Sequence, residues 1–412
     1  MPEFLHASLR IALLTHSVNP RGGVVHTLEL AQALHDDGHR VTVMAPATPG
    51  QHFFRPLPCT VELIPVVAAP GDMAKMVASR IKAIEQHVLR MLDAGQVFDV
   101  LHAQDSISAN ALANLRDRGV IDAFVRTVHH LDQFEDARLM AWQQRGFLRA
   151  SQVMCVSRLW QGVLYHEHGV DAALVHNGVD CRRYSARVDS HDESVRRRHG
   201  IGPGALAGRP VFLTVGGIEE RKNTQRVLEA FIRLRATRPA AQLVIVGGAS
   251  LLDHDAHVRR FNASLAAHGL AVGPGQAVVI TGPVPDADMP ALFRAADALL
   301  MPSLREGFGL VVLEALASGT PVVVSRIAPF TEYLGENDGL WADPLDVASI
   351  TRAMERALDP SHARALALEV PSVCRRFSWP ASAQRHAALY RAFHSLNREP
   401  PHARHALSPS LA

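Results

Sequence analysis

Short apolar runs and longer amphipathic stretches alternate along this chain, and the alternation predicts an α/β protein. Residues 9–14 are a short apolar run, the length of a buried strand. SVNPRGG follows, and then VVHTLELAQALHDDGH. That stretch sets Val24, Leu28, Ala31 and Leu34 at helical spacing and stops at Gly38. Residues 40–44 read as the next strand. A strand–helix–strand unit implies parallel strands joined by a right-handed crossover. The pattern then repeats. Strands are predicted at 61–67, 97–102, 124–129 and 153–157. A long helix over 72–92 carries Met76, Ile81, Ile84, Val88 and Leu92 mostly on one side, and a helix over 106–116 is read as capped by Ser106.

A second series starts at Val211. VFLTV is a strand, GGIEERKN a turn, and 224–235 a helix. Strands follow at 242–246 (ending in Gly247 and Gly248), 277–280, 298–301 and 321–325. Helices are predicted at 289–295 and 310–317. Two similar doubly wound halves therefore lie in tandem, over 1–180 and 181–376. The polar, glycine-containing residues 181–208 read as the connector. Residues 377–396 read as a terminal helix, and 397–412, rich in Pro, His and Ser, as a disordered tail.

Bulk composition changes this picture little. At 412 residues, two domains are the natural expectation and three are compatible with the length. The 42 basic and 40 acidic side chains nearly balance, which argues against a dedicated nucleic-acid binder. Cys59, Cys155, Cys181 and Cys374 are scattered without zinc-ligand spacing, as fits a reducing compartment. No apolar run approaches the roughly 18 residues of a membrane span, and no apolar signal region precedes the first strand. The expectation is a cytoplasmic protein able to touch the inner membrane face only peripherally.

Open α/β sheets bind ligands at the carboxyl ends of their strands. Four segments there carry candidate chemistry. In NPRGGVVHT, residues 19–27, Gly22 and Gly23 open a helix whose N–H groups suit an anion, although a tight strand-to-helix turn is the favoured reading of this segment alone. In VGGIEERKN, residues 215–223, Gly216 and Gly217 precede Arg221 and Lys222. That pair suits a diphosphate whose charge grows as a bond to it breaks; a solvated helix start is the competing reading. In SLREGFGLVVLEALASGTPVV, residues 303–323, Glu306 and Glu314 stand eight positions apart, with Phe308, Gly309 and Leu310 opening a helix between them. Glu314 there either reaches a ribose or pairs with a nearby arginine. In TVHHLD, residues 127–132, the adjacent His129 and His130 end a strand and point to opposite sides.

Together these elements resemble the retaining glycosyltransferases of family 4, which have the two-domain GT-B fold. The Glu306-x7-Glu314 pattern in EGFGLVVLEALASGTPVV is the most specific match. GPVPDADMPALFRAADALLMPS, RGGVVHTLELAQAL, HAQDSISANAL and FSWPASAQRHAALYRAF are similar to other family segments. The resemblance implies two Rossmann-like domains facing across a cleft, the first on the acceptor side and the second holding a UDP- or GDP-sugar, with the terminal helix packing back on the first. It further implies that Gly23 meets the donor phosphate, and that Lys222 with Arg221 neutralises the diphosphate. Val284 would hold the base through its backbone, and Glu306 would contact the transferred sugar. The N–H groups of Phe308, Gly309 and Leu310 would meet phosphate or sugar hydroxyls, Glu314 would hold the ribose, and His129 would assist the reacting face. No metal or other cofactor is expected, because the Asp-x-Asp at Asp286-Ala287-Asp288 reads as a turn and helix cap. One departure stands out: many relatives carry an arginine where this chain has Gly217. The acceptor stays open among small molecule, lipid and polysaccharide precursor. Lys75, Arg80, Lys82 and Arg90 on the 72–92 helix read either as a basic face for anionic lipid or as an ordinary solvated face. A sugar-nucleotide epimerase of the same fold and a non-catalytic nucleotide-binding relative are the competing functions.

Overall fold

The computed structural model describes residues 8–68, 71–247 and 255–398. The chain divides into two compact units, Met1–Asn177 with Trp379–Ala412, and Gly178–Ser378. The first unit contains β1 (Arg10–Leu14), α1 (Gly22–Asp36), β2 (Arg40–Ala47), β3 (Thr60–Pro65), α2 (Met73–Asp93), β4 (Val100–Ala103), α3 (Ser106–Asp117), β5 (Val125–Val128), α4 (Ala137–Leu148), β6 (Gln152–Cys155), α5 (Arg158–His168) and β7 (Ala172–Leu174). Its seven strands are parallel, in the order β3-β2-β1-β4-β5-β6-β7. Ile11 lies between Val41 and Val100, so the middle strand is covered on both sides. That explains why β1 reads as an unbroken apolar run rather than an alternating one. Ile81, Ile84 and Val88 of α2 pack with Leu14, Leu112 and Phe124 in one core.

The second unit contains α6 (Ser190–His199), β8 (Val211–Val215), α7 (Thr224–Arg235), β9 (Gln242–Val246), α8 (Asp255–Ala267), β10 (Val278–Gly282), α9 (Met289–Ala295), β11 (Ala298–Met301), α10 (Leu310–Ala317), β12 (Val322–Ser325), α11 (Phe330–Tyr333), β13 (Leu340–Ala342), α12 (Val347–Ala357) and α13 (Pro360–Arg376). Its six parallel strands run β10-β9-β8-β11-β12-β13. Phe231 and Leu234 of α7, Leu243 and Ile245 of β9, and Ile350 and Met354 of α12 share its core. The last helix, α14 (Trp379–Arg398), belongs to the first unit and packs on α1. In each sheet the order reverses beside the first strand, between β1 and β4 and between β8 and β11. Those reversals are where such sheets open a crevice for ligands.

Several expectations are corrected. Asp105, not Ser106, caps α3: its carboxylate accepts the Ser108 N–H at 2.8 Å. The 181–208 connector contains α6. That helix was hidden because SHDESVRRRH has a single apolar residue, Val195. It is held instead by its Asp189 cap, by acidic residues in its first turn and basic ones in its last, and by Gly200 in the left-handed conformation. A buried ion pair, Arg294–Asp192 at 2.5 Å, ties it to α9. Asp288 stands at the N-cap of α9 as expected, but its side chain makes no cap hydrogen bond; the buried carboxylate lies 2.8 Å from His191 Nε2 and 2.5 Å from Arg198. The three-residue strands β7 and β13 are too short to show a period in the sequence. Asn397 and Arg398, assigned to the tail, continue α14. Gly248 and residues 399–412 lie outside the described residues.

Replacing Asp192 by Ala should destabilise the second unit by about 3 kcal/mol, because it leaves the Arg294 guanidinium buried without a counter-charge. The Asp192→Leu, Arg294→Met double variant should recover most of that loss. Urea unfolding followed by circular dichroism measures both.

Candidate active site

In the second unit, the loops after β8 and β11 meet at the reversal of strand order. Gly216 and Gly217 leave β8 with φ of 124° and 78°. A Cβ on Gly216 would sit 2.9 Å from Lys222 Cε, so the bare backbone makes room for the lysine to fold over it. The positive φ at Gly217 disfavours any side chain there. The next turn brings Arg221 and Lys222 to Glu306. Lys222 Nζ donates to Glu306 Oε1 at 2.6 Å and Arg221 donates to the same oxygen at 3.0 Å. Ser303 Oγ donates to it at 3.3 Å. Lys222 and Glu306 are both largely buried. Burial holds Lys222 below the ordinary ammonium value, while the Glu306 carboxylate works against that shift.

Asn223 locks this junction. It is the only non-glycine among the described residues with positive φ, at 60°. Its side-chain amide donates to Pro302 O at 2.9 Å and to Pro344 O at 2.7 Å, so it fastens the loops after β8, β11 and β13 together. Leu304 N–H to Arg221 O at 2.9 Å adds a backbone tie.

Gly309, with φ 91°, caps α10, and no side chain caps that helix. The first N–H groups of a helix have no partner within it, so they are available to an anion. A Cβ on Gly309 would collide with Phe330 Cε1 at 2.7 Å. Beneath this opening Phe308 stacks on Tyr333 at 4.7 Å, and the Tyr333 hydroxyl donates to Phe308 O at 3.1 Å. Leu310 begins α10, and Glu314 lies buried in its second turn. Arg183 makes electrostatic contact with Glu314 and an ion pair with Asp286 at 2.6 Å. It thereby connects α10 to the loop after β10 that carries Val284. Asp286 and Asp288 both engage basic side chains in that turn.

In the first unit, Gly22 and Gly23 begin α1 without positive φ. A Cβ on Gly22 would meet open space, and one on Gly23 would lie 3.5 Å from His129 Cδ2. Nothing within the chain demands glycine at either position; an approaching ligand would. His129 follows β5, and its Nε2 is buried without a hydrogen-bond partner. His130 is exposed and pairs with Asp132 at 3.2 Å, so the adjacent imidazoles do take opposite surroundings. His129 stands edge-on to His26 at 4.6 Å between ring centres, and His26 Nδ1 donates to Asn177 Oδ1 at 2.8 Å. His386 of α14 is 6.0 Å from both His26 and His102. His102 Nδ1 lies 2.6 Å from the Tyr390 hydroxyl and its Nε2 2.8 Å from Thr127 Oγ1. Burial pushes all four imidazoles down, His26 to about 3 and His386 to about 4, and holds His102 and His129 well below the usual value; neighbouring charges add to the lowering at His26, His102 and His129, whereas at His386 the Ser382 carbonyl opposes it.

Two parallel-sheet Rossmann-like units, with phosphate-ready helix openings and a basic pair at a switch point, match known families. "Glycosyltransferase Family 4" matches residues 20–183 and "Glycosyl transferases group 1" matches residues 202–367. The chain is a GT-B glycosyltransferase. It is 26% identical over 415 residues to D-inositol 3-phosphate glycosyltransferase of Corynebacterium efficiens, covering 93% of this chain and 95% of that one. Among solved structures, a sucrose-phosphate synthase from Thermosynechococcus elongatus superposes with a TM-score of 0.75 at 23% identity, covering 94% and 99% of the two chains. HepE of Anabaena in complex with UDP and glucose superposes at 0.71 and 18% identity, covering 92% and 99%.

Sequence reasoning missed the supports of the transferase's site. Asn223, Tyr333, Arg183, His26, Asn177 and His386 act through contacts remote in the chain; Asn223, His26 and His386 stood inside segments already singled out, but nothing local showed what they would meet. Of the four basic residues on α2, Lys75, Lys82 and Arg90 are exposed, but Arg80 folds inward and donates to His16 O at 3.1 Å. No helix among the described residues is long and apolar enough to cross a membrane.

The buried imidazoles are neutral in the fold and ionise near pH 6.5 when unfolded. Their lowered values therefore contribute stability that is complete above about pH 6.5 and lost as pH falls towards about 4. By that linkage His26 and His386 would each cost about 2 kcal/mol at pH 5. Thermal melts should shift down between pH 7.5 and 5, and His386→Gln should flatten that dependence.

Proposed function

We propose that this transferase moves a sugar from a UDP- or GDP-sugar to an acceptor hydroxyl with retention at the anomeric carbon and without a metal. The observation that carries the reading is the convergence of Lys222 and Arg221 on one buried carboxylate oxygen of Glu306 at the strand reversal. Two cations held this close are stable only with a counter-charge. A donor diphosphate supplies the alternative one. In the reaction the bond from the anomeric carbon to the diphosphate oxygen breaks. The charge left on that oxygen is met by Lys222, Arg221 and the opening of α10 at Phe308, Gly309 and Leu310. The acceptor oxygen bonds the same face, and its proton passes to the departing phosphate oxygen. Glu306 holds the transferred sugar, Glu314 the ribose and the Val284 backbone the base. Within the first unit, Gly22 and Gly23 at the opening of α1 and the unpartnered, neutral Nε2 of His129 are the groups offered to a ligand. With Gly216 and Gly217 bare, the diphosphate clamp rests on Arg221 and Lys222 rather than on an arginine at 217. The UDP named for the Anabaena structure makes UDP the first nucleotide to test.

Isothermal titration should show one of UDP or GDP binding equally well with and without EDTA. Lys222→Ala should weaken that binding at least about 100-fold, the scale of a buried charged contact to phosphate. Glu306→Gln should abolish turnover while keeping or tightening nucleotide binding, because it releases both cations. Full activity in that variant overturns the mechanism. Binding without turnover in the wild type, across sugar donors and acceptors, would favour the non-catalytic reading.

Contact with an anionic membrane rests on Lys75, Lys82 and Arg90. Vesicles rich in anionic lipid should pellet the wild type at low salt, and the triple Glu variant should remain in the supernatant. Wild type left in the supernatant ends that idea.

A further inference from the structure

We propose that Cys181 and Cys374 form a reversible intramolecular disulfide, a redox-modification site that joins the first turn of the second unit to its last long helix. The backbone already holds the two segments together. Val179, two residues before Cys181, donates its N–H to Phe377 O at 2.9 Å and bridges Ser378 in parallel fashion. Cys374 stands three residues before Phe377, in the last turn of α13. The two thiols lie close enough to shift each other's titration. They differ in access: Cys181 is exposed and Cys374 buried.

That asymmetry is what thiol–disulfide exchange requires. An accessible thiol with increased thiolate character reacts first, and a shielded neighbour resolves the intermediate. Hydrogen bonding from Cys374 lowers the Cys181 thiol from its ordinary value and raises its partner. The other two thiols are poor competitors. Cys155 is fully buried, and burial pushes Cys59 up to about 11.

The oxidant is a small-molecule disulfide of the glutathione type. The Cys181 thiolate attacks one of its sulfurs, a mixed disulfide forms and one small thiolate leaves. Cys374, giving up its proton, then attacks the Cys181 sulfur. The second small thiolate leaves and takes up that proton. Two protein thiols are oxidised and one small disulfide is reduced to two thiols. The bond would fix the end of α13, from which Phe377 packs 6.2 Å from Phe308 and 5.6 Å from Tyr333 between ring centres. Those rings lie beneath the opening of α10, so the redox state reaches the donor site. This last link rests on the donor reading given above.

The full chain, with its fold checked by circular dichroism, is incubated with oxidised glutathione and examined by intact mass and by a non-reducing peptide map. The wild type should lose about 2 Da, the two hydrogens of one disulfide. It should yield a Cys181–Cys374 linked peptide that dithiothreitol releases. Cys374→Ser should stop at a single glutathione adduct on Cys181, and Cys181→Ser should stay unmodified. A wild-type adduct that never closes, linkage through Cys59 or Cys155, or thiols that stay reduced would each overturn the proposal. The oxidised and reduced forms should differ at least about threefold in nucleotide Kd. Equal affinities would overturn the link to the donor site. Failure of both forms to bind UDP or GDP would sink the donor reading itself, while the mass result still decides the disulfide.

Discussion

The second unit depends on the meeting of Lys222 with Glu306 across the point where its strand order reverses. At 2.6 Å, and largely shielded from water, this is a charge-assisted hydrogen bond in a place where neither partner is tolerated alone. The surrounding choices of residue make it possible. Gly216 leaves room for the lysine stem, Asn223 takes a conformation rare outside glycine, and the Asn223 amide fastens three loops so that lysine and carboxylate arrive together. Arg221 shares the same oxygen. The site therefore holds its cations against an internal carboxylate. On the function proposed above, an incoming diphosphate would exchange one anion for another and would not have to gather dispersed charge.

The first unit solves a different problem. It keeps an imidazole neutral and aimed by surrounding it with other buried rings. His129 is set by His26, His26 by Asn177, and the cluster is closed by His386 and Tyr390 of α14. The last helix of the chain thus completes the environment of a residue at the end of its fifth strand. A cluster of this kind resists protonation because each added charge would be desolvated beside its neighbours. A neutral His129 retains a lone pair or a proton for a substrate at ordinary pH.

The opening of α10 shows how packing and chemistry share residues. Gly309 is required by its positive φ and by Phe330 pressing on the place a Cβ would take. Tyr333 both stacks on Phe308 and binds its carbonyl. The peptide that presents N–H groups is therefore held from behind by a rigid aromatic layer, which includes Phe377 at the end of α13.

The alternation of apolar runs with amphipathic helices was sufficient for two doubly wound sheets, because strands buried on both faces must be apolar throughout and their crossover helices must bury one side. Gly216, Arg221, Lys222, Glu306, Gly309 and Glu314 were legible too, since strand ends marked by glycine and charge stand out against an apolar background. The helix α6 was not, because its stability comes from caps, dipole-matched charges and one ion pair with α9, none of which has a hydrophobic period. Neither were β7 and β13, where three residues carry no pattern. Arg80 looked like part of a basic face and turned inward to a backbone carbonyl. Above all, the pairing of Lys222 with Glu306, the ion pair of Arg183 with Asp286 and the ring of histidines around His129 join residues from about 80 to about 360 positions apart. Local sequence determines what a segment can become. Which distant side chains it meets is decided only when the sheets close and exclude water from between them.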